Sequence, residues 1–165
     1  MKTWVKPIEQ LGACSYALVW AEKFDSLDEA WAKCGRGDWM LWLTGRLFDK
    51  QGSPEHKALV FAACQCARLA LPYVSQGEER PRLAIEAAEA WTRGEATLAE
   101  VRKAAHVVDA MAHAAYAAHT VVAMAHTTDV VDAMAHKAYV ARLKQCATIV
   151  RRYFPKPPNT TKEAN

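Results

Sequence analysis

The 165-residue chain contains little glycine and little proline, seven of each. It has no charge-free run of about 18 apolar residues, which a membrane-spanning helix needs. No stretch alternates β-branched and polar residues between turn signals, so strands are not expected. The opening residues Met1 to Pro7 include no apolar segment of the secretory kind, and the expected compartment is the cytoplasm. A glycine-rich phosphate cradle is missing. Ser15, Ser26, Ser53 and Ser75 stand in no nucleophile-elbow context. A non-enzymatic protein without a cofactor is the resulting expectation.

Charge and cysteine are similarly unassertive. The net charge of +3 comes from 21 basic and 18 acidic residues. Residues 1–100 carry −2 and residues 101–165 carry +5, with bases at Lys137, Arg142, Lys144, Arg151 and Arg152. This is too sparse for a nucleic-acid stripe and too basic for a DNA mimic. Five cysteines, an odd number, do not suggest a disulfide framework. Cys64 and Cys66 are two apart, the wrong spacing for a zinc knuckle, and read as small buried hydrophobes.

Alanine and tryptophan are what the chain does have. The hydrophobic set reaches 52% while mean hydropathy is only −0.16, because much of that set is alanine. Six Trp, four Phe and five Tyr supply bulk for a core and exclude general disorder. The length favours one domain. The periodicity predicts a first helix over 8–24. Ser26 with Glu29 forms a capping box for a second. Asp38 is the expected N-cap of a third, running to about Leu47. Ser53-Pro54 starts a fourth that reaches about Val74 unless Pro72 ends it early. Pro81 opens a fifth through Trp91, and Thr97 with Glu100 forms a second capping box. From there to Tyr153 neither Gly nor Pro occurs. The expectation is an all-α single domain over 1–153, a bundle of six to seven helices with long Ala-rich C-terminal helices. Residues 154–165, which hold three Pro, read as a flexible tail.

The segment Val107–Tyr116 recurs as Val130–Tyr139, with a partial copy at Val121–His126. The offset matches no solenoid period. A heptad seam of Ala104, Val107, Met111, Ala114, Ala118, Val121 and Ala125 is apolar throughout, then turns polar at Thr128 and Asp132. Small seam residues permit close helix approach, and could also pair two chains. An unbroken helix from 97 to 153 would be about 85 Å long, against a radius of gyration of about 15 Å for a compact chain of this size. A break near His126–Asp129 is therefore expected. His106, His113, His119, His126 and His136 fall in the repeat at spacings of seven, six, seven and ten, not the i, i+4 of a helical zinc site. No metal site is expected, although a His-rich metal-binding bundle is an alternative reading. Off the seam, these histidines and their neighbours form an exposed face that can change charge at low pH.

Elsewhere, Glu78, Glu79, Glu86 and Glu89 read as a loop and a solvated helix face. Arg36, Asp38, Arg80 and Arg82 read as buried ion pairs pinning helix ends. Trp20, Trp31, Trp39, Trp42 and Trp91 read as core.

Three motif blocks follow one another. They are Gly35-Arg36-Gly37-Asp38-Trp39-Met40-Leu41-Trp42-Leu43, then Cys66-Ala67-Arg68-Leu69-Ala70-Leu71-Pro72, then Glu79 to Thr97 with its Glu89-Ala90-Trp91 core. An Ala-rich tract and the closing Cys146-Ala147-Thr148-Ile149-Val150-Arg151 and Phe154-Pro155 complete the order. This resembles a bacterial family of immunity proteins from polymorphic toxin systems, over about residues 10 to 157. The tract departs from the family in its Val-Val-Asp-Ala-Met-Ala-His units. The resemblance implies a small protein that neutralises a toxin by occluding it. The expected partner is a protein, and the expected contact is Asp109, His113, Tyr116, His119, His126, Asp132, His136 and Tyr139. A phage or mobile-element protein that blocks a bacterial defence enzyme would use the same scaffold.

Overall fold

The computed structural model describes residues 1–104 and 129–160, with side chains described outside 129–136. Eight α-helical segments occur among the described residues, with no strand. The all-α expectation holds. The chain divides into two compact units, Met1–Ala63 with Arg142–Asn165, and Cys64–Ala141.

The N-terminal region is more segmented than its periodicity suggests. Instead of one helix over 8–24 there are two, α1 (Lys6–Gln10) and α2 (Ser15–Ala21). Between them Gly12 takes φ +90°, a left-handed conformation that breaks the ladder at little cost only for glycine. The α3 helix (Leu27–Lys33) starts as expected: Ser26 Oγ accepts from Glu29 N at 3.2 Å. Its reciprocal bond runs to Asp25 N rather than to Ser26, at 3.0 Å. The α4 helix (Gly37–Leu47) begins two residues before the position expected from an Asp38 cap. Asp38 instead lies in the first turn and pairs with Arg36.

The α5 helix (Pro54–Arg68) is started by Ser53, whose Oγ accepts from His56 N at 3.1 Å. It stops short of Val74, and Pro72 sits in a 3₁₀ turn, Leu71–Tyr73. Proline cannot supply the N–H that a continuing helix needs. Pro81 lies in the first turn of α6 (Arg80–Arg93), which ends at Gly94 with φ 82°. Thr97 and Glu100 form the full reciprocal box for α7, described over 98–104. The α8 helix spans Asp129–Tyr153. The expected break near 126–129 and the seam over 104–125 lie outside the described residues.

In the first unit the core joins α3, α4 and α8. Trp31, Met40, Leu43, Ala147 and Val150 are buried there. Thr44 is fully buried and donates its hydroxyl to Met40 O at 2.8 Å, so its polar atom is satisfied. Phe154, first residue of the expected tail, is docked: its ring stacks on Phe48 at 5.8 Å, and its carbonyl accepts from Trp31 Nε1 at 3.0 Å. Arg151 reaches back from α8 and donates to Trp31 O at 3.1 Å and Cys34 O at 2.7 Å. These are carbonyls at the C-terminus of α3, where helical partners run out.

The tightest approach is at Gly37. A Cβ built there would lie 2.3 Å from Cys146 Cβ and 2.6 Å from the Ala147 backbone nitrogen. Gly45, on the same helix, is different: the nearest atom to a Cβ is Leu59 Cδ2 at 3.7 Å, an ordinary contact. Gly37→Ala is therefore expected to lower unfolding free energy by about 1–3 kcal/mol through overpacking. Gly45→Ala should leave it unchanged or raise it by up to about 1 kcal/mol through helix propensity. Urea denaturation of the two variants checks the contrast.

Candidate functional site

The motif blocks prove to be structural. Gly37 and the Cys146–Ala147 pair form the close approach, and Arg151 secures α3. Arg36 and Asp38 form a bidentate pair, Nε–Oδ1 2.9 Å and Nη2–Oδ2 2.6 Å, with both side chains about 40% exposed. Burial pushes the Asp38 carboxyl up, but the Arg36 guanidinium and nearby backbone N–H groups outweigh this and hold it below the ordinary value. Arg80 pairs with Glu78, and Arg82 with Glu79 and Glu86. The expectation of buried pairs fails at all of these. Each has at least one partner well exposed to water, which screens its charge.

The more enclosed carboxylate is one the sequence reading left in solvent. Glu89 is only 7% exposed. Arg68 of α5 grips it through Nε–Oε1 at 2.8 Å and Nη2–Oε2 at 2.7 Å, and Gln65 Nε2 donates at 2.9 Å. The Arg68 hydrogen bonds hold the Glu89 carboxyl below its ordinary value, against burial. Cys64 is buried beside them, and burial first, then the Glu89 charge, push its thiol to about 11. It is a neutral packing group at physiological pH. The reading of Cys64 and Cys66 as buried fits Cys64, whereas Cys66 is half-buried.

Of the eight expected contact residues, Tyr139 alone has a described side chain, and it is 53% exposed on α8 beside exposed Lys137 and Ala138. Asp132 and His136 lie on α8 with side chains outside the description. Asp109, His113, Tyr116, His119 and His126 lie outside the described residues, and so does most of the histidine set behind the metal alternative. Among the described residues no three His, Cys, Asp or Glu converge.

A second candidate site was missed by the sequence reading. A cavity of about 390 Å³ lies among α1, α2, α3 and α4, walled by Trp4, Trp20, Trp31, Trp39 and Trp42. That volume falls within the range of small-molecule pockets. Trp31 is buried as the core reading expects, but Trp20, Trp39 and Trp42 are half-buried and face open space. The clue available was density: all five precede residue 43. Tryptophan content does not distinguish a filled core from a wall.

A family model described as Imm-5 like putative immunity protein matches residues 50–152. No curated protein and no solved structure gives a significant match. Among the described residues no helix is long and apolar enough to cross a membrane.

The Arg68–Glu89 grip yields a pH test. A depressed folded pKa gives stability that is present above the unfolded value, 4.5, and lost as pH falls through the folded one. Glu89→Gln should cost about 1–3 kcal/mol at neutral pH, partly offset by solvent at the Arg68 end. The gap between native and variant should narrow steadily in denaturation curves taken below pH 4.5.

Proposed function

The chain belongs to the Imm-5 like immunity protein family, and from that premise we propose that it neutralises a protein toxin by direct occlusion, with no catalytic step of its own. The family match carries this reading, and the use of the motif residues supports it. Gly37, Arg68, Glu89, Cys146 and Arg151 are spent on close packing and internal hydrogen bonds. Such residues maintain the scaffold and offer little to a partner. Recognition then falls to exposed side chains outside the motifs.

The proposed contact is the face bearing Asp109, His113, Tyr116, His119, His126, Asp132, His136 and Tyr139. Its support is the exposure of Tyr139, which closes a repeat copy in which Asp, His and Tyr recur among alanine and valine. Tyrosine combines a large apolar ring with a hydroxyl and is enriched where truncation costs most binding energy. The partner is a protein toxin whose active surface this face covers.

Tyr139→Ala is expected to weaken the complex with the co-encoded toxin by about tenfold or more, the scale of a hot-spot residue. Thermal stability should be retained, since the side chain is exposed. Calorimetric titration and a growth-protection assay measure the two halves of the effect. Undiminished binding after joint replacement of all eight residues would overturn this contact assignment and leave the immunity role to another surface.

A further inference from the structure

The Trp-walled cavity has features that select for an occupant. Its rings are held in place before anything binds. Trp31 is fixed through its indole N–H to Phe154 O, and Trp20 meets Trp39 edge-on at 5.8 Å and Phe24 at 4.6 Å. Cations already rest on two of the indoles, with Arg36 Cζ 4.2 Å from the Trp39 ring and Arg46 Cζ 5.7 Å from the Trp42 ring. Asp38 is the one carboxylate among the lining residues, and Arg36 neutralises it bidentately. A charged guest would therefore lose water and find no uncommitted counter-charge. An aromatic guest would find ring faces and edges in the offset and edge-on arrangements that aromatic pairs prefer.

One polar group in the wall is unmet. The Trp4 indole N–H is buried and has no hydrogen-bond partner. Trp4 itself is one of the lining residues, so the unmet donor belongs to the cavity wall. Buried donors are nearly always paired, which makes this one a marker for a missing acceptor.

We propose that this cavity is a binding site for an uncharged aromatic molecule carrying one hydrogen-bond acceptor, with its ring among Trp20, Trp31, Trp39 and Trp42 and its acceptor on the Trp4 N–H. This inference is independent of the toxin-contact face and of the immunity role.

Acetophenone is a suitable probe, having one ring, one carbonyl acceptor and no donor. The six indole N–H signals in a nitrogen-15 correlation spectrum report binding, and Trp91, which is not part of the lining, serves as the internal control. The expected result is saturable movement of the Trp4, Trp20 and Trp39 signals, with Trp91 unmoved. Toluene, lacking the acceptor, should bind at least threefold more weakly, and benzoate and benzylammonium should not saturate. Trp4→Phe keeps a ring but removes the donor, and should abolish the preference for acetophenone over toluene. Ala17→Phe places a ring in the cavity and should abolish binding of both, with the backbone amide signals of Ala147 and Val150, buried in the same unit, reporting an intact fold. Should Ala17→Phe disturb those signals, Ala13→Leu offers a milder filling of the same lining. Non-saturating shifts, equal movement of Trp91, or unchanged binding by a folded, filled variant would overturn the proposal. A preference for acetophenone surviving in Trp4→Phe would overturn the assigned donor.

Discussion

The backbone of α4 at Gly37 lies against α8 at Cys146 and Ala147, too close for any side chain between them. The first unit is organised around that approach. Met40 and Thr44 follow Gly37 at helical spacing and are buried, as are Leu143, Ala147 and Val150 on α8. Arg151, four residues beyond Ala147, then reaches the Trp31 and Cys34 carbonyls at the end of α3. Hydrogen bonding and packing thus support one another. The helix that brings Ala147 to Gly37 also brings the guanidinium that ends α3, and the residue after its last turn, Phe154, accepts from Trp31.

Among the described residues of the second unit, a carboxylate is enclosed together with apolar side chains. Cys64 and Ile85 are its buried apolar side chains among the described residues, and the buried Glu89 sits with them. A carboxylate in that position is tolerable because Arg68 and Gln65 supply three hydrogen bonds. The surface pairs of Arg80 and Arg82 are more numerous but contribute less, since water competes for both partners. Enclosure, not the count of ion pairs, separates the two classes.

Several residues of the motif blocks are committed to these internal contacts. Gly37, Arg68, Glu89 and Arg151 are motif residues whose replacement disturbs packing or leaves a polar group unmet. They maintain the scaffold through contacts internal to each unit. The tryptophan cavity is a third element, formed where α1 to α4 surround space rather than fill it.

Local chemistry made the helical class readable from sequence. Ser26 with Glu29, Ser53 with Pro54, and Thr97 with Glu100 act across four residues or fewer, so their meaning does not depend on the rest of the fold. The family likeness was also legible, because motif order survives without knowing what each residue touches. The splitting of the first helix turned on Gly12, whose φ of +90° no apolar periodicity reveals. The burial of Glu89 was invisible because Arg68 lies 21 residues away, and periodicity gives a carboxylate no credit for a distant partner. Arg151 and Trp31 are 120 residues apart. The role of Gly37 is set by Cys146 and Ala147, more than 100 positions away in sequence. Sequence therefore determined the starts of α3, α5 and α7 and the family of the chain; tertiary structure decided which polar groups are enclosed and whether five tryptophans fill a core or wall a cavity. The first depends on bonds between near neighbours, the second on which distant surfaces exclude water together.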